Sequence, residues 1–159
     1  MNRPCLFLDR DGVINVKPPD GGYVRTWEEF RLIPAAVDWI CLFNALDFLV
    51  IVVTNQRGVA RGLMTPENLT DIHTRMIAEL ARRGARIDDI FVCPHEEGTC
   101  DCRKPRPGLV RQARQRWDID MSRSLLIGDS ESDRQLAVAC GLRFLKAEHG
   151  HIVSTGVSQ

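Results

Sequence analysis

The chain has 159 residues, 44% hydrophobic and 26% charged, the profile of one soluble globular domain long enough to bury its own core. Its 21 Lys plus Arg balance 21 Asp plus Glu, which gives no electrostatic ground for nucleic acid or an anionic membrane as the main partner. No apolar run approaches the ~20 residues that span a bilayer, and the apolar residues 5–8 are too few for a signal-peptide core, so a cytoplasmic monomer is expected.

Cys5-Leu6-Phe7-Leu8 reads as a short buried strand that stops abruptly at Asp9-Arg10-Asp11-Gly12. Residues 15–33, with Pro18-Pro19 and Gly21-Gly22, read as loop. Pro34 suits a first helical turn, and Ala36, Val37, Ile40 and Phe43 continue a helical stripe. Leu49–Val53 is a second buried strand, followed by Thr54-Asn55. Thr65-Pro66-Glu67 opens a helix, with Thr as cap, Pro in the first turn and an acid beside the helix N-terminus. Leu69, Ile72, Met76, Ile77 and Leu80 form its apolar face, His73 beside them reads as structural, and Gly84 ends it.

Residues 90–92 form a third strand, and a loop over 93–106 follows. A helix from about 107 to 116, a strand over 124–127 ending in Gly128-Asp129, a helix through about 140 and a strand over 143–145 complete the pattern. Residues 151–159 show no periodicity and are expected to form a C-terminal tail. Strand and helix alternate throughout, so the fold class is α/β, a parallel sheet covered by helices, in a single domain over 1–150.

Ligands of such sheets sit at the carboxyl ends of the strands. Three of those ends carry Asp9-Arg10-Asp11, Thr54-Asn55 and Gly128-Asp129, and the 93–106 loop leaves a fourth. These groups meet the needs of phosphate monoester hydrolysis. An Asp carboxylate is ionised at neutral pH and needs no base to activate it. Magnesium prefers carboxylates plus phosphate oxygens, so Asp9 and Asp129 are candidate Mg²⁺ ligands. Asp11, two residues on, is placed to act as general acid and then base. Thr54 and Asn55 are donors for the phosphoryl group, and a lysine would neutralise its charge.

Cys93-Pro94-His95 and Cys100-Asp101-Cys102 supply four metal ligands. In each pair the ligands are two apart, on the same side of an extended segment. Three thiolates and one imidazole suit a closed, tetrahedral, structural Zn²⁺. The loop ends on Arg103-Lys104, so the metal would also fix two cations near the strand ends.

Together, Phe-Leu-Asp-Arg-Asp-Gly (7–12), Val-Val-Thr-Asn-Gln (52–56), Arg-Lys-Pro (103–105) and Ile-Gly-Asp-Ser-Glu-Ser-Asp (127–133) resemble the haloacid dehalogenase (HAD) superfamily. The resemblance implies a three-layer Rossmann-like HAD fold without a large cap domain and an aspartyl-phosphate mechanism. Asp9 would be nucleophile and Asp11 acid/base. Asp9, Asp129 and the Asp11 carbonyl would hold magnesium, and Thr54 and Lys104 the phosphoryl group. Asp133 would either support the metal site or cap the following helix.

Asp-Arg-Asp-Gly-Val-Ile-Asn, Thr-Asn-Gln-Arg-Gly-Val-Ala-Arg-Gly and the Cys-x-His, Cys-x-Cys-Arg-Lys-Pro loop narrow the resemblance to the heptose 1,7-bisphosphate 7-phosphatases. The substrate would be a small phosphorylated sugar of bacterial glycan and lipopolysaccharide synthesis, contacted by Arg10, Gly22, Tyr23, Asn55, Gln56, Arg57 and Arg103. One departure is Ser130, where such enzymes often carry Lys. The rival is the histidinol-phosphate phosphatase, which shares the nucleophile motif and zinc loop, with other small sugar phosphates behind it. A non-catalytic zinc module is the reading from another class, opposed by the complete set of expected catalytic residues.

Overall fold

The computed structural model describes residues 1–153. Five parallel strands run β1 (Cys5–Leu8), β2 (Leu49–Asn55), β3 (Asp89–Cys93), β4 (Leu125–Gly128) and β5 (Arg143–Glu148). A sixth, β6 (His151–Val153), pairs antiparallel with β5. The sheet order is β3-β2-β1-β4-β5-β6. Four helices connect the strands: α1 (Pro34–Ala45), α2 (Pro66–Arg82), α3 (Gly108–Arg116) and α4 (Glu131–Cys140).

The strands alternate their side chains between two cores. Leu6, Leu8, Val50 and Val52 face Ile40 of α1 and Ile72, Met76 and Leu80 of α2. Phe7, Ile51 and Val53 face Leu109 and Val110 of α3 and Leu136 of α4. β1, β2 and β4 are therefore covered on both sides, which is why they read as unbroken apolar runs. Met76 and Leu80 are fully buried, and truncating either to Ala would cost about 2–5 kcal/mol.

Helix boundaries follow their caps. The Thr65 side chain accepts the Asn68 N–H, and the Asn68 side chain answers to the Thr65 N–H, a reciprocal box that starts α2. Ser130 and Asp133 do the same for α4.

Strand order reverses at β1: β2 and β3 lie on one side, β4 and β5 on the other. The crevice beyond the carboxyl ends of β1 and β4 is thus the topological switch point, where open α/β sheets bind ligands. Asp9 follows β1 and Asp129 follows β4.

The expected tail differs in one respect. Residues 151–153 form β6, which turns back along β5 after His149-Gly150; three residues are too few to show a period. The rest of that tail, 154–159, lies outside the described residues. β2 also runs two residues further than the apolar stretch, so Thr54 and Asn55 are themselves strand residues.

Candidate active site

Asp9 sits where β1 ends, its Oδ1 accepting the Arg10 N–H at 2.8 Å. The Lys104 ammonium reaches the same oxygen at 2.8 Å and Asp133 Oδ1 at 2.7 Å. Asp133 Oδ2 accepts the N–H groups of Asp129 and Ser130 at 3.2 and 3.3 Å. Asp133 therefore caps α4, as one of its two expected roles had it, and also pairs with Lys104. Asp129 Oδ2 receives the Lys17 ammonium at 3.1 Å, while Asp129 Oδ1 is buried with no partner. Gly12, with φ of +87°, lets the turn after Asp11 lie against the Asp129 carboxylate; a Cβ there would overlap it.

Asp9, Asp129 and Asp133 each offer an oxygen, all within 4.8 Å of one another. Burial pushes the Asp9 carboxyl well above the ordinary range, the Asp133 and Asp129 carboxylates push the same way, and Lys104 pulls it back. Burial also opposes the charge on Lys104, yet Asp9 and Asp133 outweigh it and hold the ammonium above the usual lysine range. Two buried carboxylates and the partly buried Asp129, against the buried Lys104 ammonium and the exposed Lys17, leave room for a further cation, and the orphan Asp129 Oδ1 is a ready ligand. The donor set is all oxygen, which suits Mg²⁺.

Asp11 is held apart from that group. Its Oδ1 accepts Arg10 Nη2 at 2.8 Å and Asn15 Nδ2 at 2.9 Å, and its Oδ2 accepts Gln56 Nε2 at 2.9 Å. Burial opposes ionisation here too, but Arg10, Asn15 and Gln56 hold the carboxyl below the usual range. Arg10 is fully buried, and its Nη1 donates to His73 Nε2 on α2 at 3.0 Å. Burial and the Arg10 charge push His73 down to about 3, so the ring is neutral and can accept.

Arg10 was expected among the substrate contacts; its guanidinium is engaged with Asp11 and His73. Asn55 and Gln56, also expected there, bond to neighbouring side and main chains. Asn55 clamps the main chain of Lys104 at 2.9 and 3.2 Å. Gln56 Nε2 bridges Asp11 and, at 2.9 Å, the buried Thr54 Oγ1, whose hydroxyl proton stays available to a ligand. Gly22 and Tyr23 line a cavity of about 470 Å³ with Lys17, Arg25 and Arg31. The Tyr23 hydroxyl accepts Arg57 Nε at 3.3 Å, and Glu96 of the 93–106 loop pairs with Arg57 at 3.2 Å and Arg61 at 3.0 Å. Arg103 has a buried Nη1 with no partner, a donor in waiting beside Lys104.

Cys93, His95, Cys100 and Cys102 converge as the spacing predicts. Sulfur and nitrogen stand 3.2 to 3.5 Å apart around the group. Tetrahedral ligands about 2.3 Å from zinc lie roughly 3.8 Å from each other, so the set fits a closed structural Zn²⁺. Residues that the sequence did not mark are Lys17 and Glu96. Each sits in a loop without period, and only contacts across the fold assign it a place.

A doubly wound sheet with this acid group at its switch point, Lys104 across it and Thr54 alongside defines a HAD-type phosphatase. A family model described as HAD-hydrolase-like matches residues 101–158. The D-glycero-beta-D-manno-heptose-1,7-bisphosphate 7-phosphatase of Rhodopseudomonas palustris is 44% identical over 148 residues, 88% of this chain and 81% of that protein. The D-glycero-alpha-D-manno-heptose-1,7-bisphosphate 7-phosphatase of Mycobacterium bovis is 45% identical over 135 residues, 84% of this chain and 70% of that protein. A D,D-heptose 1,7-bisphosphate phosphatase from B. bronchiseptica, solved with magnesium and phosphate, superposes with a TM-score of 0.82 at 37% identity, over 89% of this chain and 78% of that one. The chain belongs to the HAD-like phosphatases, in the family that these heptose-bisphosphate 7-phosphatases make up. It is a phosphoric monoester hydrolase.

Proposed function

We propose that the chain hydrolyses the 7-phosphate of D-glycero-D-manno-heptose 1,7-bisphosphate through an aspartyl-phosphate on Asp9, in the synthesis of activated heptose. The observation that carries the chemistry is the grouping of Asp9, Asp129 and Asp133 around Lys104. The similarity to the heptose enzymes over most of the chain carries the substrate.

Asp9 attacks phosphorus, and the bond to the C7 oxygen breaks. Asp11 gives the departing oxygen its proton. Its carboxyl, held below the usual range, is ionised at rest, which suits the second half-reaction, in which it takes a proton from the water that attacks the aspartyl-phosphate. In the first half, the incoming dianion offsets the cations that hold Asp11 ionised and so favours its protonated form. The Thr54 hydroxyl and the Lys104 ammonium donate to the phosphoryl oxygens. Asp9, Asp129 and the Asp11 carbonyl would hold Mg²⁺, which would neutralise charge on the nucleophile and the phosphoryl group. Cys93, His95, Cys100 and Cys102 would hold Zn²⁺, which would keep the loop ending in Arg103 and Lys104 in shape. Gly22, Tyr23, Arg57 and Arg103 face the rest of the sugar.

A cytoplasmic monomer without nucleic-acid or membrane partners belongs to the same reading. Its supports are the balanced charge and the absence, among the described residues, of a helix long and apolar enough to cross a membrane. The deciding experiment compares kcat/KM for heptose 1,7-bisphosphate and histidinol phosphate side by side. A higher value for the heptose is expected; the reverse order would give the chain to histidine synthesis.

A further inference from the structure

Lys17 belongs to the loop after β1, just ahead of Pro18-Pro19. Its stem is half exposed, yet its ammonium reaches the largely buried Asp129 at 3.1 Å. Asp129 thus divides its oxygens: Oδ2 faces Lys17, and Oδ1 is buried and unpartnered. The Asp9 and Asp133 carboxylates attract the same ammonium. Two cavities, of about 470 and 680 Å³, share Val16 and Lys17 in their walls, and the larger also touches Gly12 and Asp129. Lys17 stands on the wall shared by two cavities, one of which reaches Asp129.

The charges of the site leave this residue something to do. Asp9, Asp129 and Asp133 against Lys104 carry two net negative charges, which one divalent cation balances. A phosphate monoester dianion then arrives with its own charge unanswered. Among the described residues, Lys104 and Lys17 are the ammonium groups paired with this cluster, and Lys104 is already counted. The flexible lysine stem allows the head to move from Asp129 Oδ2 to a neighbouring phosphoryl oxygen.

We infer that Lys17 binds the transferring phosphoryl group, as a second cationic clamp beside Lys104. The inference rests on the phosphatase reading above and not on which sugar is the substrate. A cation seated on Asp129 attracts phosphate and opposes a divalent metal, so its removal acts on the two ligands in opposite directions. A mere prop for Asp129 would, when removed, weaken both.

Lys17→Met keeps the stem and deletes the charge. Binding of inorganic phosphate at saturating Mg²⁺, measured by calorimetry, is expected to weaken roughly 10- to 100-fold, the range of a hydrogen bond to a charged group. Mg²⁺ binding, titrated without phosphate, should stay equal or tighten. KM for phosphate monoesters should rise more than kcat falls, and Lys17→Arg should recover most of the loss. Unchanged phosphate binding would overturn the assignment, and so would a parallel loss of phosphate and Mg²⁺ affinity. A defect confined to bisphosphates, with monophosphates untouched, would mean that Lys17 reads a second phosphate and would overturn it as well. Because the probe is inorganic phosphate, these outcomes hold even if heptose bisphosphate proves not to be the substrate. A wild-type protein blind to phosphate would remove the phosphatase reading itself, and this role with it.

Discussion

The Asn55 side chain grips both main-chain polar groups of Lys104: its Oδ1 accepts the Lys104 N–H at 2.9 Å, and its Nδ2 donates to the Lys104 carbonyl at 3.2 Å. The end of β2 thereby fixes the residue whose ammonium joins Asp9 to Asp133. Asn55→Ala frees that residue without touching the ammonium. A shift of about 1 Å in a catalytic group can cost about 100-fold. The variant should lose roughly 10- to 100-fold in kcat/KM while unfolding only about 1–3 kcal/mol more easily. Steady-state kinetics and a denaturant melt on the same preparation separate the two; an unaltered kcat/KM would show the clamp to be idle.

Gln56→Leu removes one donor from Asp11 and one from Thr54. A donor favours the carboxylate, so its loss raises the Asp11 carboxyl. Asp11 is the proton donor of the step that kcat/KM reports, so the alkaline limb of the pH–kcat/KM profile should move to higher pH. Stability follows the same sign. Folded Asp11 sits below the unfolded aspartate value of about 3.9, so it stabilises the fold above that pH, and this contribution disappears as pH falls through the lowered folded value. The variant should therefore gain less stability than wild type on going from acid to neutral pH, as melts across that range would show.

Asp9 behaves in the opposite sense. Its carboxyl is pushed above the unfolded value, so the ionised form is disfavoured by folding, and that cost is present at neutral pH. Asp9→Asn should abolish turnover and raise the melting temperature in Mg²⁺-free buffer, by about 2–4 °C for each 1 kcal/mol recovered. Saturating Mg²⁺ should narrow the difference, because the wild type then gains the cation its carboxylates lack. Retained turnover would remove the aspartyl-phosphate mechanism.

The purified chain should carry one zinc, set by the four ligands of the 93–106 loop. Cys100→Ser should lower the melting temperature and raise KM, since Arg103 and Lys104 follow the last ligand directly. Elemental analysis and a thermal melt check this together; a zinc-free protein with full stability would contradict it.

Much of the site was legible because strand ends are chemically abrupt. Asp9 and Asp129 each follow a run of buried apolar residues, so their placement comes with the strand. The zinc ligands were legible from spacing alone. Arg10 was not, because between two acids it looks solvated; its inward turn depends on His73, 63 residues away. Lys17 gave no signal, since a lysine before two prolines looks like linker until Asp129 is seen opposite. β6 was hidden because it is recruited by the edge of β5 rather than by its own composition.

The buried Arg10–His73 pair ties the acidity of Asp11 to helix α2. Substitutions on the inner face of α2, made for stability or solubility and remote from any sugar, would retune the Asp11 carboxyl. Anyone grafting this catalytic turn onto another scaffold must carry that patch of helix with it.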